Sequence, residues 1–477
     1  MIKTYSLDEI DALSVNDVHN LYKSYVNQGQ VNLLASFSPA RLLVDYSEGQ
    51  YIHLKNGTVV SDFTAGIGVL NHGHNHARIL KVRTEFQEKK RMEVHKNYLS
   101  PYLAALAHSV SSIMPKDLCM SYFCNSGAEA VEGAVKLAYK VFNGKRQRIA
   151  AADISFHGKL LGTAGLTGSR EVKFQWPTIP NIDRFVYNDF DSIKEVIEQA
   201  VTDGESDHYA VLIEPMNASN VTECSKTFLI QLRELCDKYK IALIFDEVYT
   251  GWAKTGAWFY FMHHGVVPDI VSMSKSFGAG KSSISGFIAT KNMFNLAYGK
   301  DIDATLHSTT YNGFGEECVT ALESIKIIQE EKLVTRAQEI EDFLLPELKR
   351  IMGKNPNWVN AVRGRGALLG LVLESDINPI LDKIVDLVPV GVLADESFRQ
   401  KLVVSSLIHY LYEEHSILTY FGSNVDVPLI VAPTLKASND DCNKLIHALE
   451  DAFSKNKLTL IYEFARFKFG KKYLNDS

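Results

Sequence analysis

The sequence is poor in cysteine, and its cysteines do not follow the spacing of a metal site or a disulfide framework. Six of them are scattered along 477 residues, at Cys119, Cys124, Cys224, Cys236, Cys318 and Cys442. Scattered cysteines of this kind are typical of free thiols in a reducing compartment. The pattern therefore argues against a secreted, cross-linked protein.

Strong net charge and long apolar segments are missing too. The formal net charge is −6, so no strong electrostatic attraction to nucleic acid or to an anionic membrane is expected. No apolar run approaches the length that crosses a bilayer. The first residues, MIKTYSLDEIDALSV, contain no apolar signal core. Together with the thiols, these absences predict a cytoplasmic protein.

Internal repeats and low-complexity tracts are absent as well, so ordinary domains have to account for the length. A chain of 477 residues is too long for one small core and suggests two or three domains. Residues 81–330 alternate short apolar runs with helical patterns. We expect them to form a large domain, and residues 1–80 and 331–477 to form a smaller α+β domain from both chain ends. A basic and aromatic helix is predicted at the C-terminus.

Short apolar runs, each interpreted as a buried strand, recur through the central region. They are MSYFC (120–124), RIAAADISF (148–156), YAVLIEP (209–215), IALIFDEV (241–248), DIVSMSK (269–275) and GFIAT (286–290). Helical patterns lie between several of them, as at 129–142 and 227–240. This alternation predicts an α/β fold with a mainly parallel sheet that is covered by helices.

Small, aromatic or charged residues stand where these strands end. They are Ser126-Gly127-Ala128, Phe156, Glu214, Asp246 and Lys275. Because the carboxyl ends of parallel strands share one edge of a sheet, we expect these side chains to lie together. Taken singly, each also has a purely structural explanation, such as a tight turn, a helix cap or an ion pair.

One cofactor uses the whole set. Pyridoxal phosphate needs a lysine for its aldehyde, an anion cradle for its phosphate and a carboxylate that keeps its pyridine nitrogen protonated. Its ring usually stacks on an aromatic side chain. Lys275, residues 126–128, Asp246 and Phe156 fit these needs. The sequence therefore predicts a pyridoxal phosphate site in which Lys275 bonds the aldehyde, and no metal.

The stretch SMSKSFGAGKSS (272–283) contains a second lysine, Lys281, whose surroundings look like the end of a nucleotide-binding loop. That loop requires glycine where Lys275 stands, five residues before Gly280. The residues after Lys281 also lead into a strand rather than a helix. Lys275 is therefore predicted to be the working lysine, and Lys281 a loop residue.

From about residue 40 to about residue 450, the chain resembles the class-III (ornithine/ω-amino acid type) pyridoxal-phosphate-dependent aminotransferases. The motifs that carry the resemblance are DFTAGIGVLNHGHNHARI, FCNSGAEAVEGAVKLA, SFHGKLLGTAGLTG, LIEPMN, IFDEVYTGWAKTG, PDIVSMSK, HSTTYNG and VRGRGALLGL. The resemblance implies fold type I, with a seven-stranded sheet in a large domain and a smaller second domain. It also implies a homodimer with active sites shared between the subunits.

Matched residue by residue, the resemblance also implies the site. The expected cofactor contacts are Ser126, Gly127, Ala128, Phe156, His157, Glu214, Asp246, Val248, Lys275 and Thr310. Residues 126–128 would bind the phosphate, with Thr310 reaching it from the neighbouring subunit. Phe156 and Val248 would pack on the ring with His157 alongside, and Glu214 would lie near the substrate. Lys275 and Asp246 are expected to be catalytic.

Three places depart from the family pattern, one of which is the segment KSFGAGKSSISGF (275–287), where the family usually has KGLGGGLPIGA. Tyr249 stands where the family usually has glutamine. Ile430 stands where many members carry an arginine that grips the substrate α-carboxylate. Without that arginine, we expect a terminal amine or an aldehyde as one substrate, and a Glu214 that is free to face an amine. The other arginines considered for a carboxylate are Arg41, Arg363 and Arg365, of which the two in VRGRG are expected to be structural.

Two further features were weighed. Three alternating histidines, His72, His74 and His76, have the spacing of metal ligands, but they match a glycine-histidine loop of the family.

The tail KNKLTLIYEFARFKFGKKYL is predicted to dock on its own domain, with a membrane surface or a partner as the alternative. The residues that would share its apolar face are Leu460, Ile461, Phe464 and Phe467.

The predicted function is transfer of an amino group from an amine or ω-amino acid to an aldehyde or keto acceptor, in a ping-pong cycle through Lys275. One alternative is a mutase, racemase or decarboxylase reaction on the same fold. Another is an inactive, cofactor-bound regulatory or scaffold subunit.

Chemical trapping distinguishes the two lysines. Borohydride reduction of the cofactor-loaded protein is expected to fix the cofactor on Lys275, because only that lysine follows a buried strand at the predicted site. Peptide mass mapping measures the position of the label. Lys275→Ala should abolish the label and Lys281→Ala should keep it; a label on any other side chain would contradict the assignment.

Overall fold

The structure, a computed structural model, describes residues 2–35, 37–115, 117–168, 176–377, 396–422 and 424–469. Its strands, in chain order, are β1 (Val44–Glu48), β2 (Tyr51–Leu54), β3 (Val59–Asp62), β4 (Leu118–Cys124), β5 (Arg148–Ala152), β6 (Ile182–Phe185), β7 (Val201–Thr202), β8 (Glu205–Ser206), β9 (His208–Ile213), β10 (Met216–Asn217), β11 (Thr222–Glu223), β12 (Ala242–Asp246), β13 (Ile270–Met273), β14 (Ser285–Thr290), β15 (Val359–Arg365), β16 (Leu368–Leu373), β17 (Ile417–Leu418), β18 (Tyr420–Phe421) and β19 (Leu429–Val431).

The α-helices are α1 (Leu7–Asp11), α2 (Val15–Tyr22), α3 (Gln28–Leu34), α4 (Ala65–Gly68), α5 (Ala77–Glu88), α6 (Pro101–Ile113), α7 (Gly127–Val141), α8 (Leu161–Leu166), α9 (Phe190–Gln199), α10 (Lys226–Tyr239), α11 (Lys291–Tyr298), α12 (Gly315–Glu330), α13 (Leu333–Lys354), α14 (Glu396–His415), α15 (Asn439–Ser454) and α16 (Lys457–Phe469). A π-helical turn occupies Lys23–Asn27, and 3-10 turns occupy Ser38–Arg41, Tyr260–His263 and Lys275–Gly278. None of the helices in the described ranges combines the length and the apolarity that a membrane crossing requires.

The largest sheet has seven strands in the order β4-β14-β13-β12-β9-β5-β6. The strands from β13 to β6 pair in parallel, whereas β14 runs antiparallel to both β13 and β4. Consecutive side chains of β12, Ile244 and Phe245, belong to different core clusters. Both faces of the sheet are therefore covered, which confirms the predicted mainly parallel sheet between helices.

The strand directions bring the candidate residues to one edge. Asp246 is the last residue of β12, and Glu214 directly follows β9, which is its parallel neighbour. Lys275 comes two residues after β13, the parallel neighbour on the other side. Since parallel strands end at the same edge, a lysine and two acids emerge next to one another from three adjacent strands.

Two smaller four-stranded sheets lie outside this central sheet. The first joins β1, β2 and β3 to β17, which pairs in parallel with β3. Segments near both ends of the chain therefore share one sheet. The second has the order β15-β16-β19-β18. Its β15 and β16 pair in antiparallel fashion, and the stretch VRGRGALLGL runs from one to the other.

The C-terminal helix α16 packs against α14. Ile461 and Phe464 are almost completely buried, and the ring of Phe467 lies 4.5 Å from that of His409. The guanidinium of Arg41 covers the Phe467 ring at 4.3 Å. The apolar face is thus occupied by the chain itself, as the docking interpretation predicts; residues 470–474 of the tail lie outside the described residues.

Candidate active site

A cavity of about 570 Å³ lies where the parallel strands end. The predicted site residues that line it are Gly127, Ala128, Phe156, His157, Glu214, Asp246, Val248 and Lys275. Residues separated by almost 150 positions in the sequence therefore share one concave surface. A cavity with a few convergent polar groups is the usual form of a small-molecule site.

Two predicted residues do not line this cavity. Ser126 is exposed and precedes α7 as its N-cap. Thr310 is exposed in a turn before α12. Neither side chain reaches the cavity within the single chain.

The turn between β4 and α7 is shaped to hold an anion. The Oγ of Ser126 accepts the N–H of Glu129 at 3.3 Å, and the Glu129 carboxylate accepts the N–H of Ser126 at 2.9 Å. This capping box fixes the helix start. N–H groups in the first turn of a helix lack intrahelical acceptors and carry the positive end of its dipole. The turn therefore presents a positive potential at Gly127 and Ala128.

Gly127 lies so close to β12 that a larger residue would not fit. A Cβ at this position would lie 2.8 Å from Cγ1 of Val248 and 3.4 Å from Cβ of Ser274. Glycine thus lets the start of α7 approach Val248 and the turn that carries Lys275. The anion cradle, the acid and the lysine are close together for this reason.

Both oxygens of Asp246 accept a hydrogen bond. Nδ1–H of His157 donates to Oδ2 at 2.8 Å, and N–H of Val248 donates to Oδ1 at 3.0 Å. Asp246 is 4 % exposed, so these donors compensate much of the cost of burying a carboxylate. They also fix its orientation and leave further lone pairs for a cationic group in the cavity.

Glu214 is also buried, at 7 % exposure. Burial, together with the nearby negative charge of Asp246, raises the pKa of the Glu214 carboxyl well above its ordinary value. Its side chain accepts a hydrogen bond from Nδ2 of Asn217. Glu214 is therefore already paired with Asn217, which differs from the expectation that it is free to face a substrate amine.

The surroundings of Lys275 favour the neutral form of its amine. Burial lowers the pKa of Lys275, while the nearby acids Asp246 and Glu214 partly oppose the shift. Its Nζ lies 4.8 Å from the centroid of the Tyr249 ring. The neutral amine is the form that attacks a carbonyl carbon, so this surrounding suits a lysine that bonds an aldehyde.

The backbone of Lys275 has an unusual conformation. Its φ is +51°, in the left-handed region that residues with a Cβ rarely adopt. The next residue, Ser276, fixes the turn: its Oγ accepts the N–H of Asn71 at 2.9 Å and donates to the carbonyl oxygen of Val69 at 3.0 Å. Such strain persists where neighbouring contacts impose it, and it is common at functional sites.

The arginines considered as carboxylate ligands are engaged elsewhere. Arg363 pairs with Asp426 at 2.7 Å, and Arg365 pairs with Glu223 at 2.8 Å, which confirms that both are structural. Arg41 donates from Nε to the carbonyl oxygen of Ala35 at 3.2 Å. None of the three lines the cavity, whereas Ile430 does.

A buried lysine links the segment after Asp246 to the strand that carries Ile430. Lys254 is fully buried, and its Nζ donates to the carbonyl oxygens of Ala432 at 3.3 Å and Pro433 at 2.9 Å. Ala432 and Pro433 directly follow β19. Burial lowers the pKa of Lys254 to about 7.

The three alternating histidines contact three different partners. His72 bonds Ser324 through Nε2, His74 bonds Asp62 at 2.9 Å, and His76 lies 3.2 Å from Glu331. Their side chains are thus used separately. Within the described ranges, no group of three or more histidines, cysteines or acids is arranged to hold a metal ion.

Several residues in or beside the cavity were not predicted. Asn217 and Met216 follow Glu214 in LIEPMN, so their position after a strand end was a usable signal. The capping box of Ser126 and Glu129 matches the S-x-x-E pattern and was also readable. Tyr420 had no such signal, because it lines the cavity from a two-residue strand far along the chain.

Comparison with known proteins places this arrangement in a family. A model of the "Aminotransferase class-III" family matches residues 35–453. This chain belongs to the class-III aminotransferases. An acetylornithine aminotransferase of Methanosarcina acetivorans is 32% identical over 364 residues, which cover 76% of this chain and 86% of the relative.

Solved structures share the fold of this aminotransferase. A transaminase from the marine bacterium Virgibacillus superposes with a TM-score of 0.80 at 21% identity, covering 94% of this chain and 99% of that chain. The ornithine aminotransferase of Toxoplasma gondii gives a TM-score of 0.77 at 20% identity, covering 94% and 99%. The fold is therefore that of fold type I, as predicted.

Class-III aminotransferases depend on pyridoxal phosphate, and the residues of this cavity fit that cofactor. The start of α7 offers N–H groups to a phosphate, and the oriented carboxylate of Asp246 suits a protonated ring nitrogen. Lys275 supplies an amine of lowered pKa. Nε2 of His157 is buried without a partner among the described residues, next to the carboxylate that the ring nitrogen would need.

The close approach at Gly127 predicts a selective loss of cofactor affinity. Gly127→Ala places a Cβ against Val248, and overpacking of this kind costs about 1–3 kcal/mol. If the helix start moves back to relieve it, binding weakens by roughly ten- to hundredfold. Titration of the apoprotein with pyridoxal phosphate measures the change.

Gly353→Ala is the matched control, because Gly353 lies in α13 and a Cβ there meets nothing within 4 Å. That variant is expected to bind the cofactor as the unchanged protein does. Equal affinity of the Gly127→Ala variant would contradict the role given to the 126–128 turn.

Proposed function

We propose that this chain transfers an amino group from a small-molecule amine to an aldehyde or keto acceptor, with Lys275 and Asp246 as its catalytic residues. The observation that carries the proposal is the placement of a lysine of lowered pKa and a doubly hydrogen-bonded carboxylate on adjacent strands of one cavity. Phosphate binding is assigned to the 126–128 turn: Gly127 and Ala128 offer backbone N–H groups, and Ser126 fixes the turn as the N-cap of α7.

The remaining predicted residues have supporting roles in this proposal. Phe156 and Val248 line the cavity on which the cofactor ring would pack. His157 orients Asp246 through its Nδ1–H. Glu214, held by Asn217 and with a carboxyl pKa raised by burial, would stand beside the substrate. Each assignment rests on the position of the residue relative to Asp246 and Lys275.

The chemistry divides between the cofactor and the chain. When bound, pyridoxal phosphate supplies an electron sink for the pair released when a C–H bond of the donor breaks. Nζ of Lys275 would take the proton from that carbon and, in the second half of the cycle, would return one to the former carbonyl carbon of the acceptor. The negative charge of Asp246 keeps the ring nitrogen protonated. The donor R–CH2–NH2 is released as the aldehyde R–CHO, whose oxygen comes from water. The nitrogen and the electron pair of the donor pass to the acceptor in the second half of the cycle.

A homodimer with shared active sites is part of the proposal. Thr310 is exposed and outside the cavity of its own chain, which is consistent with a contact to the phosphate of a second subunit.

The proposed large domain comprises residues 81–330, and the proposed small domain comprises residues 1–80 and 331–477. The pairing of β17 with β3 supports this division, because it joins the two chain ends in one sheet. Free thiols at all six cysteines support the proposed cytoplasmic location.

A half-reaction separates the aminotransferase from its alternatives. The holoenzyme, mixed with an amine donor and without an acceptor, is expected to lose its visible absorbance and to accumulate the aminated cofactor, measured by absorbance and by chromatography of the released cofactor. Adding an aldehyde should restore the band. A racemase would return to the starting spectrum without an acceptor, and an inactive scaffold would not change colour.

Mixing two inactive variants tests the shared site. Lys275→Ala and Thr310→Ala damage different subunits of the same active site, so a hybrid dimer keeps one site intact. Equal mixing with subunit exchange is expected to recover about one quarter of the unchanged activity if the dimer has two-fold symmetry. Each variant alone serves as the control, and no recovery despite measured exchange would contradict a contribution of Thr310 from the second subunit.

A further inference from the structure

One side of the cavity consists of apolar and aromatic side chains. We refer to it as the apolar wall, which comprises Met216, Ala218, Tyr249, Tyr420, Phe421 and Ile430. Met216, Ala218 and Ile430 are almost completely buried. They form one packed cluster to which Tyr249 and Tyr420 also belong. Five of the six wall residues therefore belong to one continuous surface, and Phe421 packs against the main core cluster.

The position of Ile430 in the wall is fixed by its strand. Ile430 pairs with Gly370 of β16 on one side and with Tyr420 of β18 on the other. A Cβ added to Gly422 would lie 3.2 Å from Cδ1 of Ile430, so the isoleucine is closely surrounded. Its side chain has little freedom to move aside for a polar group.

The two tyrosines of the wall use their hydroxyl groups to hydrogen-bond each other. The hydroxyl of Tyr249 is hydrogen-bonded to the hydroxyl of Tyr420. Burial raises the pKa of both hydroxyls above the ordinary value, so they stay neutral. A mutually bonded neutral pair has little capacity left to compensate a charged substrate group.

The wall lacks a cationic partner for a carboxylate. In the part of the chain that the structure describes, the lysines and arginines lining the cavity are Lys159 and Lys275. Lys275 is assigned to the cofactor. Lys159 is exposed, and its Nζ lies 5.9 Å from the ring centroid of Phe156 rather than at the wall.

These surroundings discriminate between substrates by solvation. A carboxylate placed against Ile430 would lose its hydration without gaining a charged or donor partner, which is unfavourable. A hydrocarbon group in the same place would leave water for an apolar surface, which is favourable. The wall therefore favours a substrate whose part nearest Ile430 is apolar.

We propose that the apolar wall is the subsite for the hydrocarbon substituent of the substrate. The enzyme would then act on primary amines that carry an alkyl or aryl chain and on the matching aldehydes, rather than on amino acids whose carboxylate lies at Ile430. This inference rests on the proposed aminotransferase function and adds the substrate class to it.

Half-reaction kinetics of the holoenzyme with matched donors test the inference. The donors are a series from propylamine to hexylamine, 6-aminohexanoate as the carboxylated match of hexylamine, and L-glutamate. Each added methylene is expected to raise the second-order rate constant about fourfold, as its transfer from water to an apolar surface implies. Hexylamine should exceed both carboxylated donors by roughly a hundredfold.

Substitution of the wall provides the second arm. Ile430→Arg is expected to reverse the preference, with the rate for L-glutamate rising and that for hexylamine falling. Its cofactor absorbance shows whether the variant is folded and loaded. If it is not, Ile430→Ala is used: the rate for hexylamine should fall several-fold through KM, while propylamine, which reaches less of the wall, changes little.

The outcomes separate this inference from the function on which it rests. If no amine bleaches the holoenzyme, the aminotransferase proposal itself fails. If amines bleach it but the rates do not depend on chain length, or L-glutamate or 6-aminohexanoate equals hexylamine, the apolar subsite is wrong and the aminotransferase stands. An Ile430→Ala variant that keeps the full chain-length dependence would overturn the subsite as well.

Discussion

The buried negative charge of Asp246 is the constraint on which the rest of the site depends. A carboxylate is costly to bury without donors, and here His157 and the backbone of Val248 each supply one. The same charge contributes to the raised pKa of Glu214 and partly opposes the lowered pKa of Lys275. Burial is the larger cause of both shifts, and the proximity of Asp246 adds to the first and opposes the second.

The sheet provides the geometry for this coupling. Strand β12 lies between β9 and β13, and adjacent strands are about 4.8 Å apart. Glu214 and Lys275 therefore leave the sheet on either side of Asp246. Their order across the sheet is the same as their order in the sequence, and a change in strand order would separate the charges without altering any of the residues. The glycine at position 127 completes the arrangement, because it brings the helix start against Val248.

The sequence was informative wherever a polar residue ends an apolar run. That pattern predicted Glu214, Asp246 and Lys275, together with the sheet and its covering helices, because buried parallel strands are short and continuously apolar. Contacts between distant segments were not predictable in this way. Tyr249 and Tyr420 are 171 positions apart, and their pairing depends on how β18 packs beside the cavity. The raised pKa of Glu214 was missed for a similar reason, since it depends on burial and on a neighbouring strand.

The buried ammonium-bearing side chain of Lys254 has a consequence for how the molecule can move. Its two carbonyl acceptors follow β19, so the loop beyond Asp246 and the strand of Ile430 are fastened together. If the loop and the strand separated there, the amine of Lys254 would stay buried without an acceptor, which is unfavourable. Substrate entry is therefore expected where Phe156 and Lys159 line the cavity and are exposed to solvent.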